Sequence, residues 1–142
     1  MQVEAILRAK GSAVYTVHAG ARVSDAVALL NRHNIGAVVV VDDEGLVAGI
    51  ISERDVMRLL GREPSGALAR PVSECMTAKV ITCGRDTPVA TLMEQMTRYR
   101  IRHIPITEDG ELVGIVSIGD VVKRKIEETE QEAMALREYI AS

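Results

Sequence analysis

Residues 49–55 read "GIISERD" and residues 114–120 read "GIVSIGD". Glycine, two β-branched residues, serine and aspartate recur at one internal spacing, 65 positions apart (Gly49 to Gly114). Outward from this pair, Gly45/Gly110 and Val56/Val121 keep the same offset. Upstream, Val14/Val80, Thr16/Thr82, Val23/Val89, Arg32/Arg98 and Ile35/Ile101 match at an offset of 66. The single lost residue falls between "DDEG" (42–45) and "EDG" (108–110), in a turn, where a length change does least harm. The chain is two copies of one supersecondary unit.

Each copy can be read for structure. "VYTV" (14–17) and "VITC" (80–83) are short β-rich runs. Ser24 is placed to cap "DAVALLNRHN" (25–34), and Asp86 or Thr87, followed by Pro88, to open "VATLMEQMTRYR" (89–100). Ala26, Leu29, Leu30 and His33 then share one face of the first helix, as do Leu92, Met93, Met96 and Tyr99 in the second. Two apolar strands follow in each copy, "AVVVV" with "LVAGII" and "HIPIT" with "LVGIVS", joined by short acidic turns suited to hairpins. A further helix starts at Ser52 and at Ser117. The predicted order is β-α-β-β-α, twice, in an α/β (α+β) fold.

The expected boundaries are residues 3–62 and 72–126 for the copies, 63–71 for a Gly- and Pro-rich linker, and 127–142 for a helical extension. "VEAILRAKG" (3–11) and "VSECMTAK" (72–79) read as short helical pieces, each expected to pack on the other half. Along the last helix Val122, Ile126, Thr129, Ala133, Leu136 and Ile140 form a heptad-like apolar seam. The seam is too short, and too weak at Thr129 and Ala133, for an autonomous coiled coil. It is expected to cover the chain's own core or a second copy of the chain.

Composition removes several function classes. At 142 residues, with 47% hydrophobic residues but no Phe or Trp and three Tyr, the interior must be aliphatic. The missing aromatics and the net charge of −3 argue against stacking on, or coating, a nucleic acid. The longest apolar run, "GAVVVV" (36–41), is far short of the roughly 18 residues of a membrane span. The opening "MQVEAILRAKG" is not a secretory signal. Cys75 and Cys83 read as reduced thiols, which with the rest predicts a cytoplasmic chain. No Gly-rich phosphate loop, metal-ligand spacing or paired nucleophile and base supports an enzyme.

The quoted stretch has two readings. Serine at the cap with an acid three residues on is a capping box, and a carboxylate also suits the positive end of a helix. Capping does not explain Gly49 and Gly114 inside apolar strands, where glycine is costly unless a backbone or ligand comes close. A short carboxylate beside exposed helix-end N–H groups is also placed to accept from a diol such as a ribose. The residues alone leave both readings open.

Each repeat resembles a cystathionine-beta-synthase (CBS) domain, and the chain looks like a tandem CBS pair over about residues 3–126. The resemblance rests on "VYTV"/"VITC", "IGAVVVV"/"IRHIPIT" and the closing Gly-h-h-Ser-x-x-Asp, all in order, twice. It implies two units packed about a pseudo-twofold axis with two clefts between them. It also implies an adenosine-containing ligand (AMP, ADP or ATP, with NAD(H) or S-adenosylmethionine as alternatives), no obligatory cofactor, a homodimer and a regulated effector protein. A structural dimerisation module with empty clefts is the further alternative.

By the same resemblance Asp55 and Asp120 hold ribose hydroxyls, and Ser52 and Ser117 contact the ribose or phosphate. Backbone around Thr16 and Thr82 reads the adenine edge. Gly36, Ala37, Arg102 and His103 line the clefts. The copies differ: Arg100, Arg102 and His103 offer phosphate contacts in the second, whereas the first carries Arg54 where the second has Gly119. His18 and His33 read as ordinary surface residues. Two clefts with a common ribose grip and unequal phosphate grips are expected.

Overall fold

Val38 to Val41 form an unbroken valine run, the pattern of a strand covered on both faces. In a computed structural model, which describes residues 1–141, that run is β2 (Ala37–Val41), the middle strand of the first sheet. Ser142, the last residue of the expected extension, lies outside the described residues. On one edge β2 pairs in parallel with β1 (Thr16–His18), and on the other antiparallel with β3 (Val47–Ser52). Val38, Val39 and Val40 are fully buried, each worth about 1.5–3 kcal/mol relative to exposure.

Helix α2 (Val23–His33) buries Val23, Ala26 and Leu30 against this sheet, and α3 (Glu53–Arg62) buries Val56 and Leu59. In the second copy β4 (His103–Glu108) and β5 (Glu111–Ser117) form an antiparallel pair under α4 (Val89–Tyr99) and α5 (Ile118–Ala141). Both hairpins carry a register shift at the matching place, Val40/Val41 and Ile106/Thr107. Gly45 (φ +79°) and Gly110 (φ +81°) close the two turns in the left-handed region that glycine tolerates.

Several expectations change. Strand β1 begins at Thr16 rather than Val14, and residues 80–83 form no strand: Cys83 alone bridges Ile106 in parallel. Helix α2 starts before Ser24, with Arg22 at the cap and Asp25 accepting from the Arg22 N–H (3.0 Å). Asp25 reaches back more effectively than Ser24 can reach forward, so Ser24 is an exposed first-turn residue. Helix α4 has Pro88 at its cap, and Tyr99, beyond the last buried turn, is half exposed.

The short pieces ahead of each copy exchange partners as expected. Helix α1 (Val3–Lys10) buries Val3, Ile6 and Leu7 with Leu92, Met96, Ile104, Ile106 and Val116 of the second copy. Backbone bonds Val3 N–H to Thr87 O (2.9 Å) and Val89 N–H to Met1 O (3.0 Å) fix it there. In return Ala67 and Val72, the latter in a 3-10 turn (Val72–Glu74), join the core of the first copy. The Val72 N–H donates to Ala21 O (2.7 Å), and the Val23 N–H to Arg70 O (2.8 Å).

This exchange explains the strand glycines. A β-carbon on Gly49 would lie 2.6 Å from Met76 Sδ and 2.7 Å from the Thr77 carbonyl oxygen. One on Gly114 would lie 2.7 Å from Leu7 Cδ2. The close approach comes from the crossing segment of the other half, so these glycines make room for the chain itself. The last helix covers the core only in its first turn: Val121 is buried there, but Val122, Ile126, Leu136 and Ile140 are about half to three-quarters exposed. Cys75 and Cys83 are free thiols.

Candidate functional site

Both quoted stretches fold as capping boxes. The Ser52 N–H donates to Asp55 Oδ2 (2.8 Å), and the Asp55 N–H returns to Ser52 Oγ (3.3 Å). The Ser117 N–H donates to Asp120 Oδ2 (2.8 Å), and the Asp120 N–H to Ser117 Oγ (3.2 Å). The first strand of each hairpin is tied to the same helix start. Gly36 O accepts from the Glu53 N–H (3.0 Å) and Arg102 O from the Ile118 N–H (2.8 Å).

Around these equivalent cores the surroundings diverge. At β3, Ile50 exchanges backbone bonds with Thr77, which donates to Ile50 O at 2.9 Å and accepts at 3.0 Å. At the matching Ile115 O in β5 the donor is a side chain, Lys10 Nζ, at 2.8 Å. The same ammonium donates to Asp120 Oδ2 at 2.7 Å. Burial pushes the Asp120 carboxyl up, but hydrogen bonds from Lys10 and Ser117 and the Lys10 charge outweigh it, holding it below the usual range. These bonds all fall on Oδ2, so Oδ1 has no protein partner among the described residues.

Asp120 faces a cleft of about 310 Å³ between the two copies. The second copy contributes Asp120, Ser117, Ile115 and His103; the first contributes Ala13, Val14, Tyr15, Asn34, Ile35, Gly36 and Ala37, with Lys10 at the edge. A β-carbon on Gly36 would lie 3.2 Å from His103 Nε2. Burial lowers the His103 pKa, with Asp120 pulling the other way, so the ring is neutral at pH 7. Tyr15 stacks on His33 with ring centroids 3.6 Å apart and planes 11° from parallel. The cleft thus joins a carboxylate oxygen, a helix start, a neutral imidazole and an aromatic ring, a set suited to a flat base attached to a diol.

Of the residues expected from sequence, Gly36, Ala37, His103, Ser117 and Asp120 come together here. Thr16 is exposed on β1 beside Tyr15, and Thr82 is exposed beside the bridging Cys83. Neither lines this cleft, nor do Ser52, Asp55 and Arg54 at the start of α3. Arg102 is exposed, and Arg100 holds the left-handed closing position of α4 (φ 54°), the place Asn34 takes after α2. His18 binds Asp43 (2.6 Å) away from the cleft. Sequence reasoning missed Lys10 and Tyr15. The available signal for Tyr15 was an aromatic beside a strand start in a chain with three Tyr and no Phe or Trp; for Lys10 it was a cation at a helix end.

A second hollow, about 330 Å³, lies between α4 and α5 and is lined by Met93, Val121, Val122 and Ile126 with Lys125, Thr129 and Glu130. Among the described residues no His, Cys, Asp and Glu group could hold a metal ion, and no helix is long and apolar enough to cross a membrane.

The family model for the CBS domain matches twice, at residues 10–62 and 72–127. The mitochondrial CBS domain-containing protein CBSX3 of Arabidopsis thaliana is 41% identical over 122 residues, 83% of this chain and 59% of its own length. The chain therefore spans little more than half of that relative. A CBS-domain containing protein from Agrobacterium tumefaciens superposes with a TM-score of 0.84 at 42% identity, covering 87% of this chain and 92% of its own. The CBS domain pair of protein MJ0100, solved in complex with 5-methylthioadenosine and S-adenosyl-L-methionine, superposes with a TM-score of 0.81 at 29% identity, over 90% and 98% of the two chains.

Proposed function

The chain belongs to the CBS-domain family as a tandem pair, and from that premise we propose that it is a regulatory module that binds an adenine nucleotide between its repeats. The observation that carries this reading is Asp120 at the 310 Å³ cleft, with Oδ1 left unpartnered while Oδ2 is saturated. A ribose diol on Oδ1 would leave the capping box intact, so capping and binding are compatible roles. Tyr15 and the backbone at Gly36 and Ala37 lie across the cleft, where the base would sit. The complex of the MJ0100 pair with two adenosyl compounds supports the adenosine core as the shared chemistry.

Asp55 and Ser52 are proposed as the ribose grip of the other half, with Thr82, Arg100 and Arg102 beside it and Arg54 as its cation. Adenosine compounds without phosphate, the class bound by the MJ0100 pair, are the second reading. The module acts on other molecules through a homodimer and an effector protein in the cytoplasm, without catalysis of its own. The exposed seam on α5 supports pairing with a second copy.

Calorimetric titration with AMP, ADP, ATP, NAD, NADH, S-adenosylmethionine and 5-methylthioadenosine tests the proposal. Binding of at least one, lost in Asp120→Ala with the fold retained, is the expected result. Binding that survives both Asp55→Ala and Asp120→Ala would sink the ribose assignment.

A further inference from the structure

We infer that Lys10 sets the charge preference of the Asp120 cleft: its ammonium donates to an adenosine phosphate and repels an adenosyl cation. The inference rests on the reading of Asp120 as a ribose ligand. An ammonium has three donors. Lys10 spends one on Asp120 Oδ2 (2.7 Å) and one on Ile115 O (2.8 Å), and its third has no protein acceptor among the described residues.

The position is specific to this half. At the equivalent Ile50 O the donor is the Thr77 backbone N–H (2.9 Å), so the first repeat satisfies the same carbonyl without a charge. Lys10 is held by α1, whose buried Val3, Ile6 and Leu7 lock it onto the second core. The cation is therefore preorganised, with its side chain 30% exposed, which favours a strong contact over a solvated one.

The free donor of Lys10 and the helix start beside it decide the sign. The charges acting on His103 in the cleft are Asp120 and Glu53 on one side, Lys10 and Arg102 on the other, with Asp120 the largest. The N-terminal end of the 24-residue α5 adds a positive partial charge at Ser117, and the His103 ring is neutral. A phosphate within reach of the free Lys10 donor and the α5 helix start is attracted, and a sulfonium beside the ammonium is repelled. One charge-assisted bond contributes on the order of ten- to a hundredfold in affinity.

The test is calorimetry on the full chain with adenosine, AMP and S-adenosylmethionine, for the wild type, Lys10→Met and Lys10→Arg. The wild type is expected to bind AMP about tenfold or more tighter than adenosine. Lys10→Met should bring that ratio near one and strengthen S-adenosylmethionine relative to adenosine, whereas Lys10→Arg should preserve the ratio. A ratio unchanged in Lys10→Met overturns the role of Lys10 and leaves the adenosyl reading standing. A wild-type ratio near one does the same without any variant. No binding of any of the three overturns Lys10's role, and if ADP, ATP, NAD, NADH and 5-methylthioadenosine also fail to bind the wild type, the adenosyl reading falls with it.

Discussion

Lys10, at the end of the first helix, donates over 2.7 Å to Asp120, at the head of the last. The pair closes a loop of 110 positions and ties the exchanged α1 to the cleft. Asp55, its counterpart by sequence, carries the same capping box with no cation. The two aspartates should therefore respond differently to removal.

Asp55→Ala deletes a cap partner and is expected to cost about 0.5–2 kcal/mol. Asp120→Ala deletes the same partner and strands the Lys10 ammonium, adding up to about 1 kcal/mol. Urea unfolding without ligand measures both. Equal losses would mean that the ion pair contributes nothing to stability.

Gly49→Ala should destabilise more than Gly114→Ala. The new methyl at Gly49 meets the Thr77 carbonyl at 2.7 Å as well as Met76, and that carbonyl is held by its bond to the Ile50 N–H. At Gly114 the obstacle is the end of Leu7, a side chain that can change rotamer. Overpacking of the first kind costs about 1–3 kcal/mol, and the second should fall well below it. Thermal unfolding of the two variants gives the ranking, and a larger loss at Gly114 would contradict the packing account.

Acidification should weaken the fold in two stages. His103 has a folded pKa below its unfolded value of about 6.5 because burial disfavours its charge. Its contribution is present above that value and lost as pH falls through the folded pKa. Asp120, also depressed, contributes above about pH 4 and loses its contribution below. His103→Gln should flatten the first stage and Asp120→Asn the second, read as unfolding free energy against pH. A wild-type His103 ring that titrates by NMR above 6.5 would reverse the first sign.

Removing residues 130–142 should leave the fold of residues 1–129 intact. The last buried side chain in α5 is Val121, and everything from Thr129 to Ala141 is exposed. An isolated helix of that length is marginal in water, so a second copy is its expected support. Light scattering should give a dimer for the full chain and a monomer or weaker dimer for the shortened one. An unchanged dimer would move the interface elsewhere.

The repeat was legible because the hydrophobic pattern and the turn chemistry are local. The valine run of β2, the glycine-closed turns and Ser52/Asp55 with Ser117/Asp120 sit where their spacing places them. The missing strand at residues 80–83 was not legible. "VITC" has the composition of a strand, but pairing is a tertiary event, and only Cys83 reaches β4. Likewise Ser24 looked like a cap until Asp25, one residue on, took the Arg22 N–H.

The sequence alone determined the twofold repeat, the helix starts at Ser52 and Ser117, the hairpins and the paired aspartates, since each is encoded within a few residues. Tertiary structure decided what surrounds them. It laid Met76 and Leu7 over Gly49 and Gly114, brought Tyr15 and Gly36 opposite Asp120, and put Lys10 where the first copy has only a backbone N–H. Those contacts join residues tens of positions apart, and no local preference fixes which of the two halves receives the cation. The "GIISERD" motif specifies a helix start; the exchanged helix makes its twin a charged site.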